Sequence, residues 1–471
     1  MKPAAPLPQI LARSARAQRE IAALAADAPD RSTTEAGLAE AVADFYSDCL
    51  AFVPDLNFWF VYDGSRWSRD IEGAATQGVK LMLRHLEAAA ADAGNLARRA
   101  ELIAKERAGA IRAILSLAAT EPRLVRPLAL FDVDPWTLNT PGGLVDLRTG
   151  DIAPHDPSQN LMLRTGVAPD FNADAPRFGA FIDSITCSRP DLAAWLVARL
   201  GYSLTGVTNR QDFEIRHGGG ANGKGVLQNL MLSIFGEYSC VIDPSILLAV
   251  EKRGRGPSPE LLDTRGRRVI FATETAEGDR LDTGRVKTLT GQDEQAARAL
   301  FSNTIVKFMP TAKIVLSTNS APGLDAVDDG MRRRVLLVPF DATFRGSACD
   351  PEILDKLKTE GAAILGQLVR SAQVYAATQA LPDCPEVNAA SAEYLTDVDP
   401  IARWIEAKCR VDPDSITDAA TLYRSFSAWQ IEDGMVHAWT QTRLGRALES
   451  HGFPKVEGGH TVRRRGLSVI Y

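Results

Sequence analysis

Residues 211–234 read DFEIRHGGGANGKGVLQNLMLSIF: a short alternating strand, a glycine-dense turn and an amphipathic helix. This stretch limits the fold most. Phe213 and Ile215 alternate with polar neighbours before the turn, and Val226, Leu227, Leu230, Met231 and Ile234 recur at helical spacing after it. Strand, turn and helix in that order bring backbone N–H groups to a helix N-terminus, where the helix dipole also favours an anion. Glycines let the backbone close on a phosphate, and Lys224 adds a point charge for the β- and γ-phosphates. The candidate cradle runs through Gly218, Gly219, Gly220, Ala221, Asn222, Gly223 and Lys224 into Gly225 and Val226. Its pattern is G-x-x-x-x-G-K, but Gly225 stands where a hydroxyl residue ordinarily holds Mg²⁺. The local alternative is a glycine-rich hairpin beside an ordinary helix.

At 471 residues the chain has room for about three domains and a large core. Hydrophobic residues at 45% and charged residues at 24% place it among ordinary globular proteins. No apolar run approaches the roughly 18–20 residues of a membrane span. Arg13, Arg16 and Arg19 lie inside the first amphipathic stretch rather than ahead of an apolar block, which makes a poor secretory signal. Cys49, Cys187, Cys240, Cys349, Cys384 and Cys409 are widely spaced without a C-x-x-C pair, so a disulfide framework or zinc site is not expected and a reducing cytoplasm is. The net charge of −6 argues against a uniformly basic coat. Residues 440–471 nevertheless carry Arg443, Arg446, Lys455, Arg463, Arg464 and Arg465 against Glu449 and Glu457. That local excess suits a polyanion, and the solvated surface of a small domain is the alternative.

Residues 1–55 read as an Ala-rich helical segment after a Pro-rich start. The aromatic alternation of 56–70 around Tyr62-Asp63-Gly64 predicts a hairpin. Several helices follow over 71–126, then short strands in FDVDPWTLNTPGGLVDLRTGDIAPH, then helices over 175–205. Beyond the cradle, apolar runs at 267–274, 313–319 and 335–340 alternate with helical patterns, which predicts a parallel α/β sheet. Residues 346–395 read as a helical lid. The last segment, 396–471, pairs helices around Trp404, Leu422, Tyr423, Phe426 and Trp429 with a closing strand, the pattern of a winged helix.

Phosphoryl transfer needs a cradle, a metal, a residue that orients water, and positive charge on the transition state. After the cradle, Glu274 ends one buried run and can polarise water; Asn319 ends the next and can position that water or contact the γ-phosphate. Arg332, Arg333 and Arg334 then offer a finger. Each has a plain alternative. Glu274 can pair with Arg268, Asn319 can cap the turn into Ala321-Pro322-Gly323, and the arginines can be a solvated charge run.

In GGGANGKGVLQNLMLSIFGEY, GRRVIFATETAEGDRLDTGRVKTLTGQDEQAARALF and FMPTAKIVLSTNSAPGLDAVDDGMRRRVLLVPF the chain resembles the superfamily 3 helicases of the phage, plasmid and poxvirus primase-helicase type. These look like that family's Walker A, Walker B, B′, sensor and arginine-finger segments. WFVYDGSRW, the 131–155 segment and the C-terminal ITDAATLYRSFSAWQ and HGFPKVEGGHTVRRRGLSVIY extend the likeness. The resemblance implies an α/β chain with an AAA+ P-loop core (206–345), a mainly helical collar-like domain before it (56–205), the lid, and a winged-helix DNA-binding domain after it. It implies an ATP-dependent DNA helicase of phage, prophage or plasmid replication, with ATP and Mg²⁺ as cofactors. The ring would be a homo-oligomer, a hexamer in this family, with single-stranded DNA in its pore, duplex at the fork or origin, and replication proteins as partners in a bacterial host cytoplasm.

Lys224, Glu274, Asn319, Arg333 and then Arg334 are the implied catalytic residues, with Arg332 last in register. Glu274, through water, and Thr273 are the implied metal ligands. Lys287, Arg298, Ser302, Asn303 and Lys307, on the B′ segment and a pore hairpin, join Arg463, Arg464 and Arg465 as implied DNA contacts. Two departures stand out: Gly225, and the short stretch before the matching region where relatives carry a primase domain, so primer synthesis is not expected. Gly225 raises the alternative of a slow or non-hydrolysing ring that uses nucleotide to load on DNA. A P-loop phosphotransferase and a purely structural DNA-binding protein are further alternatives, which lack a use for the pore hairpin and for the ordered catalytic set respectively.

Overall fold

The computed structural model describes residues 32–249, 259–276, 278–298, 305–324, 327–346, 349–435, 438–456 and 461–470. It divides into two compact units, the first running to Ala168 and taking in residues 305–306 at the start of a later strand, the second made of the rest from Pro169 on.

The first unit opens with α1 (Glu35–Tyr46), whose N-cap Thr34 accepts from the Gly37 amide. Strands β1 (Leu50–Val53), β2 (Phe58–Tyr62) and β3 (Trp67–Arg69) form an antiparallel sheet. The predicted hairpin is its second turn: Tyr62 faces Trp67, and the Asp63 carboxylate accepts the amides of Ser65 and Arg66. Helices α2 (Ala74–Asp92), α3 (Leu96–Ala104) and α4 (Ala108–Ala118) bury Leu83, Leu86, Leu102 and Ile114 in one core with Leu38 and Phe45 of α1. A meander of β4 (Thr137–Thr140), β5 (Gly143–Asp146) and β6 (Ile152–Ala153) follows, where short strands were expected.

In the second unit, α5 (Pro176–Ile185) and α6 (Pro190–Ser203) precede β7 (Phe213–His217), and the cradle leads into α7 (Lys224–Phe235). Then come β8 (Ser239–Ile242), α8 (Pro259–Asp263), β9 (Val269–Thr273), β10 (Arg280–Leu281), α9 (Thr283–Thr290), β11 (Gln295–Arg298), β12 (Ile305–Phe308), β13 (Lys313–Thr318), β14 (Gly323–Leu324), α10 (Asp329–Arg332) and β15 (Val335–Pro339). Among the described residues the main sheet has five strands in the order β15-β7-β13-β9-β8, and every pairing is parallel. Burial on both faces explains why the predicted runs are apolar throughout. All carboxyl ends therefore meet on one rim: Thr318 pairs with His217, Ser317 with Thr273, and Pro339 with His217.

The expected helical segment after β15 is α11 (Ile353–Lys358), α12 (Gly361–Thr378) and α13 (Pro385–Asp397). α12 lies close along α6: a Cβ on Gly201 would stand 2.9 Å from the Leu368 carbonyl oxygen, so only glycine permits that approach. Ser391 of α13 donates nothing to the sheet but accepts the edge amide of Leu337 at 2.8 Å. The C-terminal part packs α14 (Pro400–Lys408), α15 (Ala419–Glu432) and α16 (Gln441–Ser450) on an antiparallel sheet of β16 (Cys409–Asp418), β18 (Arg463–Val469) and β17 (Lys455–Val456). Trp404, Phe426, Trp429 and Trp439 build its core. β16 has no sequence signature, because Pro413 and its acidic neighbours look like a loop; the pairing survives through an irregular register between Asp412 and Ile416.

Candidate nucleotide site and nucleic-acid surfaces

The cradle is shaped by two close approaches. A Cβ on Gly218 would fall 2.2 Å from the Phe340 carbonyl oxygen, and one on Gly223, at φ +86°, would fall 2.5 Å from Ile185 Cγ2. Gly220 and Ala221 also hold positive φ, at 88° and 50°. Asn222 is buried and donates to the Phe340 carbonyl at 3.2 Å, while the Phe344 amide donates to the Ala221 carbonyl at 2.7 Å. The loop is thus strapped to the chain that leaves β15. Gly225, in the first turn of α7, has open space around its missing side chain.

Lys224 is buried, and burial lowers its ammonium pKa to about 8. Its Nζ donates to the Gly218 carbonyl at 2.7 Å and to Asn319 Oδ1 at 3.0 Å. The two candidate residues, Lys224 opening α7 after β7 and Asn319 just past the neighbouring strand β13, are therefore in direct contact. Glu274, one residue past β9, is exposed, holds φ 61° and donates its amide to the Ser317 carbonyl at 3.0 Å. A non-glycine residue in the left-handed region at a rim marks a constrained position. Thr273 is half-buried beside it, and Thr275 ties the end of β9 to the end of β13 by bonding Thr318 Oγ1 and the Ser320 carbonyl.

A cavity of about 590 Å³ adjoins the cradle at Ala221, Gly223 and Val226. Phe181, Phe344 and Ile353 give it apolar walls, and Arg177, Asp350 and Lys356 are polar lining residues. Sequence reasoning missed these residues. α5, the chain after β15 and α11 converge here, and no spacing within any one of them signals the cavity.

Of the three arginines, Arg333 is exposed and its guanidinium makes no hydrogen bond among the described residues; Arg332 donates to Asp399 Oδ2 at 3.0 Å. Arg334 requires a correction. It is buried, burial lowers its pKa, and its guanidinium donates to Gln211 Oε1 at 2.6 Å, the Gly330 carbonyl at 3.0 Å and Thr290 Oγ1 at 3.3 Å. Its guanidinium is engaged within its own chain.

Among the implied DNA contacts, Lys287 pairs with Asp328, and Lys307 is exposed and pairs with Glu294 at 2.8 Å. β11 and β12 form the predicted hairpin strands, while Ser302, Asn303 and the Arg298 side chain lie outside the described residues. Arg465 is exposed and Arg463 half-buried. Arg464 is corrected too: it is buried and donates to the Phe453 carbonyl at 3.1 Å, fastening β18 to the turn after α16 instead of facing outward. No described helix is long and apolar enough to cross a membrane.

The five-stranded parallel sheet makes this an α/β protein, and the glycine-rich turn after β7 with polar residues on the same rim is consistent with a P-loop core. Residues 39–187 match the family model described as D5 N terminal like. The chain is 28% identical over 246 residues to "Putative helicase L207/L206" of Acanthamoeba polyphaga mimivirus, covering 52% of this chain and 25% of that protein. It is 26% identical over 228 residues to "Putative helicase 022R" of Frog virus 3, covering 45% and 23%, and 26% identical over 142 residues to "Primase D5" of Fowlpox virus, covering 29% and 17%. The protein thus carries a D5 N terminal like domain and is a distant homologue of viral D5-family proteins named as helicases and primases. Its matches span about a quarter or less of those relatives' length. Among solved structures, the apo C-terminal region of NrS-1 aligns over 89% of this chain and 96% of that one, with TM-score 0.48 and 11% identity.

Proposed function

We propose that the chain is an ATP-driven DNA helicase motor of the superfamily 3 kind, with an AAA+ core and a C-terminal winged helix, working as a homo-oligomeric ring in phage, prophage or plasmid DNA replication. The observation that carries this reading is the contact between Lys224, at the start of α7, and Asn319, just past β13, with Glu274 just past the next strand β9 on the same rim. Nucleotide phosphates enter the cradle and replace the Gly218 and Asn319 oxygens as partners of Lys224. Asn319 and Glu274 then face the γ-phosphate, where Glu274 polarises the attacking water and Asn319 positions it. The base occupies the cavity walled by Phe181 and Phe344, so the 349–356 segment closes over bound nucleotide.

The rim suits Mg²⁺, which takes few protein oxygens and keeps several waters. Thr273 supplies a hydroxyl and Glu274 a carboxylate, and Gly225 supplies none. When bound, the metal neutralises charge on the phosphate oxygens. Arg333, exposed on the segment before β15, is the finger offered to a neighbouring subunit's nucleotide. The β11–β12 hairpin with Lys307 faces the strand in the pore, and Arg463 and Arg465 on β18 face duplex at the fork.

The reading is tested by DNA-stimulated ATPase and unwinding of forked substrates, with particle mass measured alongside. A hexamer that hydrolyses ATP and opens one fork polarity is the expected result; a monomer with DNA-independent turnover sinks it. Gly225 favours one second reading, a ring that grips or loads on DNA with slow turnover.

A further inference from the structure

We infer that Asp399 is a positioning residue through which the C-terminal helices set the placement of Arg333; this inference rests on the finger role proposed above. Asp399 is 2% exposed and caps α14, its Oδ1 accepting the Ile401 amide at 2.9 Å. Its other oxygen, Oδ2, accepts from Arg332 at 3.0 Å and meets His451 Nε2 at 2.8 Å. Arg332 is the immediate neighbour of Arg333 at the end of α10. His451 ends α16, the helix that carries Arg443 and Arg446. One buried carboxylate therefore joins the finger segment to the far end of a basic helix.

A second grip runs in parallel. Asp433, at the end of α15, is 7% exposed at its side chain and holds both Arg280 of β10 and Arg403 of α14. β10 pairs with β14, which follows Asn319. The C-terminal helices thus hold the core at two places, one next to the finger and one just beyond the catalytic rims.

The state of His451 follows from geometry. Its Nδ1 lies 2.7 Å from the Ala447 carbonyl oxygen and its Nε2 lies 2.8 Å from a carboxylate, so each ring nitrogen faces an acceptor and the surroundings favour the imidazolium. The charged groups facing it are Asp399 and Arg332; the Asp399 and Ala447 contacts raise its pKa above the ordinary 6.5 against burial and Arg332. Because the folded pKa is raised, this attachment is complete at low pH and is lost as pH rises through the folded value. Neutral His451 can donate to only one of the two acceptors and no longer carries the charge that faces Asp399, so the tie between α16 and Asp399 weakens.

The test uses the full chain. In Asp399→Asn, kcat for DNA-stimulated ATP turnover should fall about 10–100-fold with little change in KM, the size expected when a catalytic group is displaced by about an ångström. Amide hydrogen exchange over residues 329–334 should quicken in the same variant. In wild type, DNA stimulation should decline as pH rises from about 6 to about 9, and His451→Lys, which stays charged there, should flatten that decline. Unchanged exchange over 329–334 together with unchanged kcat in a folded Asp399→Asn chain overturns the inference. If that variant does not fold, the pH profiles decide: a wild-type profile that His451→Lys leaves unaltered overturns it equally. A wild-type chain with no turnover sinks the proposed function, and the exchange measurement still judges the Asp399 connection.

Discussion

Lys224 sits in a site that has already lost much of its water, and its ammonium is held by two oxygens that a phosphate can replace. Lys224→Ala removes that charge, and Glu274→Gln keeps the shape of the water-facing group while removing its basicity. Both variants should lose ATP turnover by about 10²-fold or more, Lys224→Ala with weaker nucleotide binding and Glu274→Gln with binding retained. Wild-type hydrolysis in Glu274→Gln would take that residue out of the mechanism. At Gly225 the space is open, so Gly225→Ser or Gly225→Thr can enter without a clash. A large gain in turnover, at lower Mg²⁺, identifies a weakened native metal site; unchanged turnover and Mg²⁺ dependence show that the metal is held by other groups.

At the scale of elements, the cradle depends on where β7 and α7 meet their neighbours. Gly218→Ala drives a Cβ into the Phe340 carbonyl, whereas Gly219→Ala, one residue on, meets nothing within 4 Å. The first should destabilise the protein by about 1–3 kcal/mol and weaken nucleotide binding, and the second should be near neutral, as read by thermal melts and nucleotide titration. Under the same strand lies a buried charge network. Arg199 of α6 bonds Asp212 at 2.8 Å and Glu214 at 3.0 Å, and Glu214 bonds Arg216 at 2.7 Å. Burial alone would raise the Glu214 pKa, but Arg216 and Arg199 hold it below its ordinary 4.5. Its stabilisation is present above the unfolded pKa and is lost as pH falls through the folded one. Glu214→Gln leaves Arg216 buried without its carboxylate and Arg199 with Asp212 alone, so a loss of about 3–5 kcal/mol in denaturant unfolding is expected. A change below 1 kcal/mol would show that water already reaches this network.

At the scale of the whole molecule, the proposed finger role of Arg333 requires another subunit beside it. Arg333→Ala should abolish ATPase in the assembled ring; equal loss in an isolated monomer would end the trans assignment. DNA binding through phosphate contacts should weaken by roughly one log unit per log unit of salt for each phosphate neutralised, with little sequence preference. Arg464→Ala, by contrast, should lower the stability of the C-terminal helices before it changes the salt slope, since its guanidinium is spent inside the fold.

The local pieces were legible in the chain itself. The strand–turn–helix around Lys224, the apolar runs that end at Glu274 and Asn319, and the hairpin at Tyr62-Asp63-Gly64 each depend on residues close in sequence and on a fixed backbone period. What stayed hidden depends on partners far apart in the chain. Three consecutive arginines look alike as letters, yet Arg332 meets Asp399, Arg333 faces outward and Arg334 turns onto Gln211. The cavity beside the cradle draws on α5 and α11, and the Asp399–His451 connection spans two helices. Side-chain direction and burial at one position are set by whatever packs against it, and that is decided only when distant segments meet.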